Sequence, residues 1–424
     1  MKFTKGRFIK KPEQAEQEPI VKQAEPKFEM QFIPREESKQ NQVTKVFDDE
    51  IVSRGVSYTN SICVPRVAGS KQEREIANNM LVHSEEVLDH KGTIEPFYVA
   101  KSLHKYGLLL FSVLFLIILV TFPFSPISAF IVYLFSISAL ALRVFFKVDL
   151  LGFFGKDISF NVVNEIKKSN NFTNTLIVTS NYSTSCDYNI NRFFKVNIKA
   201  FYITMIALNC LAFIMFVVLV AGVNSVAVKV ITGLLIATDV VVLALFYGNA
   251  KNLNSKNGLS GVNTSLLIMD YLNNHKGLIG DNTKVVFCSF GGGTDSTKGA
   301  KEFVKQHFTN NDDYPNAVVV DLNCTKPVKP TIYTGKNANK LANSAYEKLC
   351  IKGFNKERAL LKGGAVKEFN RVGVDCVSFG DSTREIGTDF NTANDNSKQD
   401  KTESMENFYT YLDVVTDILN KLKN

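Results

Sequence analysis

Four long apolar runs constrain this chain more than any other feature. They are Tyr106–Phe122, Ala129–Phe146, Ala200–Ala221 and Val226–Tyr247. Each approaches the length that lets a helix cross the hydrocarbon core of a bilayer. The first two are joined by Pro123-Phe-Ser-Pro126, a helix breaker that predicts a tight hairpin, and the last two repeat the pattern. Four transmembrane helices in two hairpins are therefore expected. Four such runs are hard to accommodate as buried helices of a water-soluble core.

The charges beside these runs predict an orientation. Lys101 and Lys105 precede the first helix, and Arg143 and Lys147 end the second. Arg192, Lys195 and Lys199 precede the third, and Lys251 and Lys256 follow the fourth. At the hairpin tips Lys229 is the exception to an absence of charge. Both hairpins then enter and leave on the basic side, expected to be cytoplasmic in a cell-membrane protein. Membrane lipid is an expected partner, as are other membrane proteins or a second copy of the chain.

Between the apolar runs, strand and helix patterns alternate. Strands are predicted over Thr93–Val99, Ile158–Ile166, Thr175–Thr179, Lys284–Ser289, Ala317–Asp321 and Val374–Ser378. Helices are predicted over Glu73–Leu88, Asn263–Asn274, Thr297–Gln306, Lys336–Cys350 and Glu403–Leu422. Such alternation implies an α/β sandwich with a mostly parallel sheet. The expected division is a tail over 1–48 and a soluble domain in three pieces, 49–104, 148–199 and 249–424. Hairpins at 105–147 and 200–248 separate the pieces. The tail is rich in Lys, Glu, Gln and Pro and reads as disordered; its basic start could touch anionic lipid or a partner.

Composition excludes several function classes. The net charge of +8 is spread along 424 residues and forms no basic block, so no nucleic acid is expected as a partner. Seven cysteines without a CxxC, and five histidines without an HExxH or HxH, form no metal or disulfide framework. Gly291-Gly-Gly-Thr-Asp-Ser296 is a glycine-rich turn that could cradle phosphate, but it lacks the P-loop spacing. No G-x-S-x-G elbow is present.

Five segments carry a family resemblance. They are Arg66-Val-Ala-Gly-Ser70, Leu176-Ile-Val-Thr-Ser-Asn-Tyr-Ser183, Lys256-Asn-Gly-Leu-Ser-Gly261, Phe290-Gly-Gly-Gly-Thr-Asp-Ser-Thr-Lys-Gly299 and Asn391-Thr-Ala-Asn-Asp395. In order and spacing they resemble the M28 zinc peptidases, here with two inserted transmembrane hairpins. The resemblance implies a three-layer α/β sandwich. It also implies a metal site that this chain would have lost. The first metal-binding histidine falls on Asn181, its companion aspartate on Ser183 and the bridging aspartate on Lys256. The general-base glutamate falls on Gly293 and the neighbouring ligand glutamate on Thr294. An aspartate persists as Asp321, and the last histidine falls on Asn391. A cation at Lys256 would repel two divalent ions.

The resemblance therefore implies a catalytically inactive membrane protein that acts as a scaffold, binding or complex-assembly subunit. Neither catalytic residues nor a cofactor are expected. An active peptidase with a rearranged metal site is the alternative, using oxygen ligands from Asp295, Asp321, Asp381 and Asp389. A small transporter is a third reading. It rests on Asp239 within the fourth apolar run, an intramembrane acid of the kind that marks function. Asp239 could equally be a buried partner of Asn209, Thr204 or Ser136, or a contact for another membrane protein.

Overall fold

The computed structural model describes residues 39–100, 108–145, 156–184, 187–190, 198–223, 225–249, 252–253, 255–292, 297–311, 313–335, 340–358, 365–382 and 397–423. The chain divides into two units, Met1–Thr44 and Lys45–Asn424. Of the first only the start of a helix is described; the second holds the strands and the remaining helices.

The elements, in chain order, are α1 (Lys39–Ser61), α2 (Lys71–Leu88), β1 (Thr93–Ala100), α3 (Leu109–Thr121) and α4 (Pro126–Phe145). Next come β2 (Lys156–Lys167), β3 (Asn174–Asn181), β4 (Asp187–Tyr188), α5 (Ile198–Val220), α6 (Val226–Ala244) and β5 (Gly248–Asn249). Then come α7 (Ser260–Asn274), β6 (Thr283–Phe290), α8 (Lys298–Val304), β7 (Ala317–Leu322) and β8 (Pro330–Thr334). The last are α9 (Lys340–Leu349), β9 (Asn355–Arg358), α10 (Val366–Arg371), β10 (Asp375–Asp381) and α11 (Lys401–Lys423).

Eight strands form one sheet in the order β1-β2-β6-β3-β7-β10-β8-β9. The pairings β6–β3, β3–β7, β7–β10 and β8–β9 are parallel. The pairings β1–β2, β2–β6 and β10–β8 are antiparallel. Side chains alternate across a strand, and that alternation divides the core in two. Leu176 and Val178 of β3, Val285 and Phe287 of β6, and Val320 and Leu322 of β7 face one core, which α1, α2, α7, α9 and α11 cover. Ile177, Val286, Cys288, Val319 and Cys376 face the other, covered by α8 and α10. The domain is thus helix, sheet, helix in three layers.

Local chemistry fixes the helix ends. Ser70 caps α2 by accepting a hydrogen bond from Glu73 N–H, and α2 ends at Asp89 in a left-handed conformation. Ile76, Ala77, Met80 and Leu88 form its buried stripe. Several elements depart from expectation, among them one helix and two strands of the main sheet. Helix α1 begins at Lys39, inside the stretch expected to lack structure, because its apolar stripe (Ile51, Val52, Val56) starts only in its second half. Strands β8 and β9 lie outside the predicted strands; Pro330 and the wholly polar Asn355-Lys-Glu-Arg358 disguise them.

The apolar runs form a separate helical bundle with its own small core around Phe115, Tyr133 and Phe216. Two of the four expected spanning helices, α5 and α6, are long and apolar enough to cross a membrane by length and composition. Helix α3 has 13 residues, about 20 Å of rise against the roughly 30 Å required. The apolar part of α4, Pro126–Leu142, stops at Arg143. At the tip α3 ends at Thr121, one residue before the expected Phe122, and α4 starts at Pro126, before the expected Ala129; the expected start at Tyr106 lies outside the described residues.

Both hairpins leave the soluble domain and return to it at a closed pair of backbone segments. Antiparallel pairing of β1 with β2 sets Ala100 opposite Lys156, so the chain departs and returns at one point. Around the second hairpin β4 pairs with β5, and Ile190 N–H donates to Leu245 O at 2.9 Å.

Candidate functional site

In a parallel sheet, ligands usually bind beyond the carboxyl ends of the strands. Here that edge is formed by β6, β3 and β7. Asn181 is the last residue of β3, in register with Phe290 of β6. Its Oδ1 accepts a hydrogen bond from the Ser183 hydroxyl at 3.3 Å. Lys256 lies in the turn Ser255–Leu259, which packs on β3. Asn181 and Lys256 are therefore brought to the same end of the sheet. Gly293, Thr294 and Asn391 lie outside the described residues, as do Asp295 and Asp389.

The segment carrying Lys256 is held from three directions. Arg66 is fully buried and spreads its guanidinium over four carbonyls: Tyr182 (2.6 Å), Ile62 (2.9 Å), Val64 (2.5 Å) and Leu253 (2.9 Å). Gln399 Nε2 donates to Ser255 O at 3.0 Å, and Cys324 Sγ donates to Lys256 O at 3.0 Å. The arginine of the Arg66–Ser70 motif is thus a clamp that ties the start of the domain to the loops after β3 and before α7.

Asp321 is buried in the centre of the sheet, 3% exposed. Register places it between Thr179 of β3 and Ser378 of β10. Its Oδ1 accepts from the Thr179 hydroxyl at 2.9 Å. Its Oδ2 accepts from the Ser378 hydroxyl at 2.6 Å and from Ala365 N–H, at the start of α10, at 3.0 Å. Both oxygens are engaged in fixing three strands and a helix. Asp381 is likewise used, its Oδ2 accepting from Val328 N–H and from Lys329 N–H. The donor set at Asn181, Lys256 and Asp321 does not fit a dinuclear zinc site. The first two offer an amide and a cation, and the carboxylate already holds three donors. Among the described residues no three His, Cys, Asp or Glu side chains are grouped to hold a metal ion.

Two buried titratable groups escape sequence reasoning. Glu73 is fully buried, and its carboxylate accepts from Gly69 N–H (2.6 Å), Gly292 N–H (3.1 Å) and Ser159 Oγ (2.9 Å). Burial pushes its pKa up to about 7, against the lowering effect of those bonds and of Arg66. The S-x-x-E capping signature at Ser70–Glu73 is the signal that could have found it. His307 bridges Glu95 of β1 and Asp313, at 2.7 Å on each ring nitrogen. Burial alone would lower its pKa; the bonds and charges of Glu95 and Asp313 prevail and hold it above the usual histidine range. No local pattern marks it, because Glu95 is distant in sequence.

In the bundle, Asn209 Nδ2 donates to Met205 O at 2.9 Å and to Asp239 Oδ1 at 3.3 Å. Tyr133 OH donates to Asn209 O at 2.7 Å.

No protein-family model matches the chain, and no curated protein matches it. Solved structures do. A zinc aminopeptidase from Bacillus subtilis is 12% identical, with 87% of this chain and 94% of that chain covered and a TM-score of 0.49. An aminopeptidase from Aneurinibacillus sp. strain AM-1 is 12% identical, covering 90% and 94%, with a TM-score of 0.49. A glutaminyl cyclase from Fimbriiglobus ruber is 12% identical, covering 86% and 94%, with a TM-score of 0.47.

Proposed function

We propose that this protein is a membrane-anchored domain of the aminopeptidase type that binds or assembles other components without hydrolysing them. The observation that carries the reading is the use of Asp321. The one metal-ligand position that the M28 resemblance retains already accepts from Thr179, Ser378 and Ala365, and so serves the sheet. Lys256 at the bridging position and Asn181 at the first histidine position support the same conclusion. A binding role suits the clamped loops at the carboxyl end of β3, since hydrogen bonds from Arg66, Gln399 and Cys324 fix their shape.

Membrane anchoring is supported by the surface of the bundle. Only 17% and 22% of the residues in the apolar windows of α5 and α6 are buried, unlike the core helices of a soluble protein. Phe135, Ile203, Leu234 and Val241 stand 69, 67, 64 and 61% exposed, an apolar surface that water does not tolerate. The flanking lysines and arginines favour the soluble domain on the cytoplasmic side.

Metal analysis and amidase assays on the purified full-length protein test the proposal. We expect substoichiometric zinc and no release of arylamine from aminoacyl arylamides. Stoichiometric zinc that disappears in Asp321→Asn, or arylamine release above a no-protein blank, would sink it.

A further inference from the structure

We propose that a cavity between the β1–β2 edge of the sheet and α8 binds a small primary amine in its ammonium form. Glu95 and Phe97 of β1 and Asn161 of β2 line one wall. Glu302 of α8, with Lys305 and Gln306 of the turn that follows it, line the other. Register sets Glu95 opposite Asn161. Asn161 Nδ2 donates to Gly299 O at 3.1 Å, and Glu95 accepts from His307. Both side chains therefore project from the sheet toward the α8 layer, where the cavity lies. Its volume of about 300 Å³ is at the lower end for ligand sites and suits a small molecule. None of Asn181, Lys256 and Asp321 lines it, so the inference is independent of the lost metal site and of the membrane reading.

The carboxylate on the sheet wall is half used. His307 stands between two carboxylates, 2.7 Å from Glu95 Oε1 and 2.7 Å from Asp313 Oδ2. An ionised carboxylate only accepts, so both ring nitrogens donate and the ring is an imidazolium. That bond engages Glu95 Oε1. Glu95 Oε2 is buried and has no hydrogen-bond partner among the described residues. The neighbouring Asn161 amide is committed to Gly299 O and to Gly291 N–H. A buried carboxylate oxygen without a donor is costly. The charges on the lining select the donor. Glu95 and Glu302 set two carboxylates against one ammonium, that of Lys305, an exposed residue. Lys298 holds Glu302 through Oε1 at 3.1 Å. A ligand ammonium brings three N–H donors and a positive charge, and its bond to a carboxylate is roughly twice as strong as that of a neutral donor. An anionic ligand would instead meet Glu95. Phe97 offers apolar contact to the alkyl stem of the amine.

Calorimetric titration of the full-length protein in detergent at neutral pH tests the proposal. The probe is butylamine, with butanol and butyrate as neutral and anionic molecules of similar size. We expect saturable butylamine binding, with butanol and butyrate weaker by about tenfold or more. Glu95→Gln, which keeps the side-chain size and an acceptor for His307, should weaken butylamine binding by about tenfold or more. Gln306→Phe narrows the cavity and leaves the Glu95–His307 pair in place. It should abolish saturable binding, and it decides the matter if Glu95→Gln fails to fold. Absence of butylamine binding, or equal binding of butylamine and butanol, overturns the proposal. So does a butylamine titration unchanged in Glu95→Gln or in Gln306→Phe. Butyrate binding more tightly than butylamine would mean that Lys305 governs the cavity, and overturns it too.

Discussion

At the scale of single residues, carboxylates decide the character of the soluble domain. Asp321→Ala would leave the Thr179 and Ser378 hydroxyls and the Ala365 N–H buried and unpaired. We expect a loss of about 3 kcal/mol or more in urea denaturation. Glu73 and His307 give the domain a pH dependence of defined sign. The Glu73 pKa lies near 7 in the folded protein against 4.5 for an ordinary carboxyl. Between those values the folded state keeps a proton that the unfolded chain has released, so stability falls as pH rises through that window. His307 is raised above 6.5, so its stabilising contribution is complete below that value and is lost as pH rises through the folded one. Denaturation midpoints should therefore decline as pH rises from about 5 through the folded-state titrations of Glu73 and His307. Glu73→Gln should flatten the lower part of that decline and His307→Gln the upper part. Asp321 was legible in the sequence as a surviving acid, but its employment was not. Thr179 and Ser378 reach it only through strand register, which depends on which strands become neighbours.

At the scale of elements, the strongly periodic segments were readable and the short polar ones were not. Strands β3, β6 and β7 are apolar and buried on both faces, as central parallel strands must be, and their sequences show it. Strand β9 lies at the sheet edge and its four residues are all polar, so pairing with β8 alone defines it. The sequence of α3 reads longer than the helix, since an apolar run continues through the turn that ends it. Close approach between elements is another quantity that sequence hides. A Cβ on Gly261 in the first turn of α7 would sit 1.7 Å from the Leu322 carbonyl oxygen of β7. Gly261→Ala should push α7 off the sheet and cost about 3 kcal/mol or more, read as a lowered denaturation midpoint or loss of folded protein.

At the scale of the whole molecule, each hairpin leaves and returns between backbone segments that are already paired. The first connects Ala100 to Lys156, which already face each other across an antiparallel pair. The second connects segments already paired as β4 and β5. Replacing residues 101–155 with a two-residue Asn-Gly turn, and residues 190–247 with a short glycine-rich linker, should yield a water-soluble protein. Its circular dichroism should retain the α/β signature, and size exclusion should show a compact species. Aggregation of that variant would mean that the bundle is needed for the domain to fold.

The sheet order also carries a consequence in time. Strand β6 sits between β2 and β3, yet it is made only after both apolar hairpins have left the ribosome. Until then β2 has only β1, and β3 has no neighbour at all. Strand β3 therefore waits without a partner, and β2 with β1 alone, until the segment after α5 and α6 has been made. Under the proposed membrane anchoring, α5 and α6 would enter the bilayer before the sheet closes, and the waiting strands would be held near its surface. Delayed long-range pairing is the stage at which a β-rich chain is most exposed to aggregation. Such anchoring would keep waiting copies from diffusing together through solution during that interval.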